Sequence, residues 1–129
     1  MRVVTIDKLA KKDMGEAVPL KGWTGGAVAR HQQMIIPNGD SDDFKCSVVS
    51  FTMGSTTGWH AHDHDQILVV TDGEGIVADD HGEYEIKVGD VVHIKAGDRH
   101  WHGAKANTTM AHITIQPVIA KSTFEKGGL

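Results

Sequence analysis

Nine histidines stand in a chain of 129 residues, and six of them fall into three groups: His60, His62 and His64; His100 and His102; and His112. On a β-strand, residues two apart point to the same face. His60 and His62 can therefore aim two imidazoles at one point, and so can His100 and His102. Trp59, Ala61 and Trp101 then face the other way. A bend at Asp63-His64-Asp65 would bring Gln66 back beside the first pair. Three imidazoles and one amide oxygen suit a divalent first-row metal, and an oxygen ligand is compatible with manganese or iron. Four neutral ligands would leave the ion its full 2+ charge. That strengthens Lewis acidity toward a carbonyl, nitrile or alkoxide oxygen and lowers the pKa of bound water. An isolated H-x-H is more often surface or satisfied polar packing; two strand-borne pairs favour the metal. A histidine pH switch would leave Gln66 without a role. His31, His81 and His93 read as ordinary surface or loop residues.

Such pairs need strands to carry them, and the sequence supplies short ones. Phe44 to Thr52 is rich in β-branched and aromatic residues, Gln66 to Thr71 is an apolar run ending at Asp72-Gly73, and Gly75 to Ala78 is another. Asp79-Asp80-His81-Gly82 reads as a turn, Glu83 to Val88 alternates, Gly89-Asp90 turns into Val91 to Ile94, and Thr109 to Val118 closes the series. Strands at such intervals, separated by Gly/Asp turns, predict an all-β sandwich or barrel rather than a βαβ layout. Residues 6–16 are expected to form a short helix with Ile6, Leu9 and Met14 on one side. The tail from Lys121 to Leu129 is expected to be poorly ordered or docked on a partner.

Composition bounds the function. The length fits one domain. Hydrophobic residues at 40% and charged ones at 23% fit a folded protein. Seventeen acidic against thirteen basic side chains give a net charge of -4, which argues against a nucleic-acid surface or a polybasic membrane patch. No apolar run is long enough for a transmembrane helix. The first eight residues lack the apolar core of a signal peptide, and the single Cys46 makes no internal disulfide, so a cytoplasmic location is expected.

Residues 54–104 resemble the two signature motifs of the cupin superfamily. The first runs Gly54, His60, His62, Gln66, Gly73, with Gln66 where the family usually has glutamate. The second runs Gly89, Lys95, Gly97, His100, Ala104, with Lys95 in place of proline and Ala104 in place of asparagine. The resemblance implies an all-β double-stranded β-helix, or jelly-roll, barrel over about residues 28–118. Residues 1–27 would form an N-terminal extension and 119–129 a C-terminal tail, all within a single domain of residues 1–129. It also implies His60, His62, Gln66 and His100 as ligands of one divalent metal ion per chain, manganese first and iron, nickel or zinc as alternatives.

Closer still is the likeness of Gln66 to Gly75, His100 to Ala104 and Thr108 to Gln116 to small cupins associated with carboxymuconolactone decarboxylases. That branch includes manganese-dependent hydroxynitrile lyases with three His and one Gln on the metal. This chain departs from the branch at Asp63-His64-Asp65, which places polar groups near the metal mouth. His64 between the H-x-H and the glutamine is similar to small cupins that linearise unsaturated uronates.

His102 shares a strand face with His100 and is the candidate general base or acid, with His112 or His64 as further proton carriers; its alternative role is only to orient a ligand. His112, Thr114 and Gln116 share one face of a strand, and the resemblance turns that face inward to line a substrate pocket. On the Phe44–Thr52 strand, either Ser47, Val49 and Phe51 or Cys46, Val48 and Ser50 face the cavity; the resemblance points to the first set. Trp59 and Trp101 read as packing or interface aromatics, and Lys95 and Arg99 as a solvated turn. The expected activity is a metal-dependent lyase or isomerase acting on a small oxygenated substrate. The alternatives are an Fe(II) dioxygenase and a non-catalytic metal- or ligand-binding sensor. Exposed barrel edges and the N-terminal segment predict a homodimer or a higher homo-oligomer.

Overall fold

Twelve strands and one short helical turn make up the protein, a computed structural model that describes residues 1–129. The strands are β1 (Lys12–Asp13), β2 (Val18–Pro19), β3 (Arg30–Met34), β4 (Phe44–Phe51), β5 (Ser55–Thr56), β6 (His60–His62), β7 (Gln66–Asp79), β8 (Gly82–Lys87), β9 (Val91–Ile94), β10 (His100–Ala104), β11 (Met110–Pro117) and β12 (Ser122–Phe124). Every pairing is antiparallel. This is the expected all-β class, and its curled sheet is that of a double-stranded β-helix. No helix is long and apolar enough to cross a membrane.

One face of the barrel runs β1-β3-β4-β11-β7-β9, and the other is built around β10, which pairs β7, β5 and β6. Strand β7 belongs to both. Its first half pairs β11 and β9, and its second half pairs β10 and β8. The apolar runs on either side of Asp72-Gly73 are therefore not two strands; the chain continues through the turn residues as a single bent strand. The bend has a local cause. Opposite Ala111 and His112 the register skips a residue, the signature of a β-bulge, which bends a strand. At Gly73 φ is +67°, and a Cβ there would sit 1.9 Å from the Thr109 carbonyl oxygen, so only glycine fits.

The apolar core is small. Val49, Phe51, Val70, Ile86, Ala104 and Met110 cluster together, with Met14, Val77 and Val92 packed against them. Deleting one such large side chain typically costs about 2–5 kcal/mol.

Two terminal expectations are corrected. Residues 6–16 form no regular helix; only Ile6–Lys8 turns, and Lys12-Asp13 pairs with Gln32 and His31 on β3. Asp13 accepts the Gly15 N–H at 2.8 Å, and Gly15 has φ +85°, a local alternative that stops a helix before it closes further turns. Gln33 on β3 holds the turn by donating to the carbonyls of Ile6 and Leu9. The C-terminal tail does not need a partner to dock. Its Ser122–Phe124 strand pairs with His60–His62 of the same chain.

Candidate metal centre

Strand β6 is only three residues long, yet it is held on both sides, by β10 through His100 and by β12 through Ser122 to Phe124. His60 and His62 are 3% and 7% exposed and project inward together, while Ala61 between them is turned away, as a two-residue period requires. His100, 2% exposed, comes in from the opposite strand in direct register with His60. The donor atoms of His60, His62 and His100 lie within 4.8 Å of one another, positioned to share a metal ion.

What tethers each ring decides which nitrogen is offered. His60 Nδ1 lies 2.9 Å from the Gly58 carbonyl and His100 Nδ1 lies 2.7 Å from the Asp98 carbonyl. A carbonyl only accepts, so both rings carry their proton on Nδ1 and keep the Nε2 lone pair free. His62 Nδ1 lies 2.7 Å from Ser122 Oγ on the tail strand. His62 Nε2 and His100 Nε2 are buried with no hydrogen-bond partner, and so is Gln66 Oε1. The Gln66 amide is oriented by its own donors, Nε2 giving to Thr114 Oγ1 at 2.8 Å and Gln116 Oε1 at 3.0 Å. Buried polar atoms left unpaired are costly. The histidine nitrogens converge and Gln66 lines the cavity beside them; all are neutral lone-pair donors, which a divalent cation would satisfy. The residues present therefore fit a metal ion.

Electrostatics points the same way. Burial pushes the His60 imidazole down to about 3, helped by His100 beside it, and it lowers His62 and His100 as well. These rings are neutral at physiological pH, the form that binds metal.

Beside the ligands lies a cavity of about 210 Å³, lined by 14 residues. Ser47 and Val49 from β4, Thr114, Gln116 and His112 from β11, and Thr57 and His102 all face it. Phe51 does not line it. That ring is 1% exposed and forms the wall behind, edge-on to His102 at 5.8 Å and 5.5 Å from His112. Val48, on the opposite face of β4, is covered by the N-terminal turn instead of facing the cavity. His102 Nδ1 and His112 Nε2 lie 3.0 Å apart in a buried hydrogen bond. Burial, with His112 next to it, holds His102 well below the usual imidazole range, and burial brings His112 to about 4. Thr57 fixes the His102 backbone from both sides, giving its N–H to the His102 carbonyl and accepting the His102 N–H at Oγ1.

His64 lies outside this group. Its side chain is 38% exposed and bonded to Asp63 at 2.8 Å, and it does not line the cavity. Arg99 is engaged elsewhere, paired with Asp80 and Glu125 and lying 3.7 Å over the Trp59 ring. Trp59 and Trp101 pack edge-to-face on the outer side of the ligand strands.

Several site residues lay beyond the sequence reading. Phe124 stacks on His60 at 4.8 Å, and Ser122 tethers His62. Arg30, Gln32 and Lys45 line the cavity. Lys45 had a signal that could have found it, since it shares strand parity with Ser47 and Val49. The tail had none.

A family profile described as a cupin domain matches residues 47–115. A curated relative, the (R)-mandelonitrile lyase of Granulicella tundricola, is 45% identical over 69 residues, 53% of this chain and 53% of that protein. The chain thus spans about half the length of the curated relative it matches. Among solved structures, a cupin-like protein of Thermotoga maritima is similar with TM-score 0.72 and 25% identity over 90% of each chain. A polyketide cyclase of Streptomyces resistomycificus shares the fold at TM-score 0.78 and 17% identity, over 98% of this chain and 87% of that one.

Proposed function

This chain belongs to the cupin domain family, and from that premise we propose that it is a metal-dependent lyase or isomerase acting on a small oxygenated substrate, in the manner of a hydroxynitrile lyase. The observation that carries the reading is the placement of a buried neutral His102–His112 pair in the cavity lined by His60, His62 and Gln66, with His100 close enough to share an ion with those two histidines. Those four hold one divalent ion, for which we take manganese, with iron, nickel and zinc as alternatives. Such an ion supplies Lewis acidity toward a substrate oxygen.

The chain's own residues handle the proton. His102 has Nδ1 committed to His112, so Nε2 is the nitrogen it offers to the cavity. When His102 gives the shared hydrogen to His112, its Nε2 holds a lone pair and is a base; when His112 gives it, Nε2–H is an acid. Acting as base on a cyanohydrin, His102 takes the hydroxyl proton. The carbon–carbon bond then breaks, the carbonyl forms, and the electron pair leaves with cyanide, which takes up a proton on release. Ser47, Thr114 and Gln116 supply polar contacts that orient the substrate, Val49 an apolar one, and Phe51 backs the His pair and excludes water. A site that only bound metal would have no use for a neutral acid–base pair beside it, which favours catalysis over a sensor.

The apolar patch of Phe44, Ile67, Ile115 and Pro117 on the outer face supports a homodimer. The test is a screen of (R)-mandelonitrile, nitroaldols and unsaturated uronates with the manganese-loaded protein, oxygen uptake followed in parallel. Turnover that needs metal and consumes no oxygen supports the lyase or isomerase reading. Oxygen-coupled turnover replaces it with an oxygenase, and full metal content without turnover on any of these removes it.

A further inference from the structure

Two cations line the cavity and no carboxylate does. Arg30 and Lys45 are among its lining residues, which include neither Asp nor Glu. Both are partly buried, and neither takes part in any ion pair. The other partly buried cations are treated differently: Arg99 is paired with Asp80 and Glu125, and Lys105 with Glu74 and Glu85.

The cavity cations are positioned without being neutralised. Arg30 directs Nε and Nη2 at the Glu16 carbonyl, at 3.0 and 2.9 Å, which fixes the guanidinium plane. Lys45 gives one Nζ–H to the Ala120 carbonyl at 2.9 Å and has two more to offer. Backbone carbonyls orient a cation but carry no net charge, so both charges stay uncompensated. Burial accordingly lowers Arg30 from its ordinary value. Arg30 stands opposite Phe51 at one end of the β3–β4 pair and Lys45 near the other end of β4, so the two enter the cavity lining from opposite ends of that pair. With four neutral donors on a divalent ion, the site lacks any anion. An unpaired half-buried cation is costly, and the group that completes it is a negatively charged one.

We propose that the substrate of this site carries a carboxylate, bound by Arg30 and Lys45. The inference rests on the reading of the cavity as the substrate site and narrows the substrate to an oxygenated acid, which within the screen above favours the unsaturated uronates over (R)-mandelonitrile and the nitroaldols, since those carry no carboxylate. Size agrees: an about 150 Å³ cavity holds benzene, so about 210 Å³ takes a compact acid only modestly larger.

The experiment compares mandelate with mandelamide, which have the same shape and differ in charge, by titration calorimetry. It is run on metal-free and manganese-loaded protein, with metal content measured on each sample. The metal-free arm isolates the cations, since a metal ion attracts carboxylates by itself. Wild type is expected to prefer mandelate about tenfold or more in both arms. Arg30→Gln with Lys45→Met should reduce that preference to within about threefold in the metal-free arm, at unchanged metal content in the loaded one. Arg30→Lys and Lys45→Arg, which keep the charge, should retain most of it and control for folding. Equal binding of the two probes by wild type overturns the proposal, as does a preference that survives the double substitution. Absence of metal from all samples would instead overturn the metal reading, while the metal-free arm still decides the role of the two cations.

Discussion

His60, His62 and His100 each have Nδ1 beside an oxygen, from Gly58, Ser122 and Asp98. His102 and His112, a few ångströms away and equally buried, have each other. The rings are chemically identical, so the difference lies in the partner. A carbonyl at Nδ1 locks His60 and His100 in one tautomer with the lone pair aimed inward, which suits a ligand, while the Ser122 hydroxyl, able to give or accept, orients the His62 ring. A second imidazole locks neither tautomer, because either ring can hold the shared hydrogen, which suits proton transfer. A third group shows the contrast with solvent: His64 and His93 sit on Asp63 and Asp65 in the open, where such pairs are worth little.

The comparison breaks first at the ligands. His60→Ala should reduce metal from about one ion per chain to near none by elemental analysis; full retention would remove His60 from the ligand set. Next comes the pair. His102→Ala should cut turnover about 100-fold or more with metal content unchanged, and a loss of metal instead would make His102 a ligand. Smaller is the tether. Ser122→Ala leaves His62 Nδ1 without its partner, and metal affinity measured by competition with a chelator should fall about tenfold.

Acid should reveal the burial of His112. Its pKa is about 4 folded against 6.5 for a free imidazole, so the unfolded chain binds the proton first as pH drops. The stability of the neutral ring is complete above about pH 6.5 and is lost toward pH 4, at up to about 1.4 kcal/mol per pH unit. Urea midpoints of metal-free protein should show this slope, reduced in His112→Gln. Least affected is His64→Ala, whose stability should stay within about 0.5 kcal/mol of wild type and whose metal content should not change.

Spacing alone brought the ligand candidates into view, because an i, i+2 pair on a strand has only one geometry. Strands β4, β8, β9 and β11 were legible because β-branched, apolar or alternating runs stand between Gly/Asp turns, whereas β10 was visible only through the spacing of its histidine pair. Strand β7 was not, since its bulge opposite Ala111 and His112 and the glycine at 73 bend a strand that local pattern reads as ending. The segment 6–16 misled because apolar residues at helical intervals there pack against the sheet from an extended chain; Met14 reaches the core that way. The tail misled for the opposite reason. Its strand residues are exposed and carry no periodic signal, and its pairing with β6 spans some sixty residues of sequence.

The types and intervals of the histidines, together with Gln66, were enough to determine that neutral donors would be delivered in pairs, because side-chain direction along a strand is a local property of the backbone. Ser122 orients the His62 ring, and which nitrogen His60, His100 and His102 offer was decided by the folded chain, through Gly58, Asp98 and His112. So was the placing of two unpaired cations, Arg30 and Lys45, beside them, because hydrogen-bond partners and charge neighbours come from strands distant in sequence.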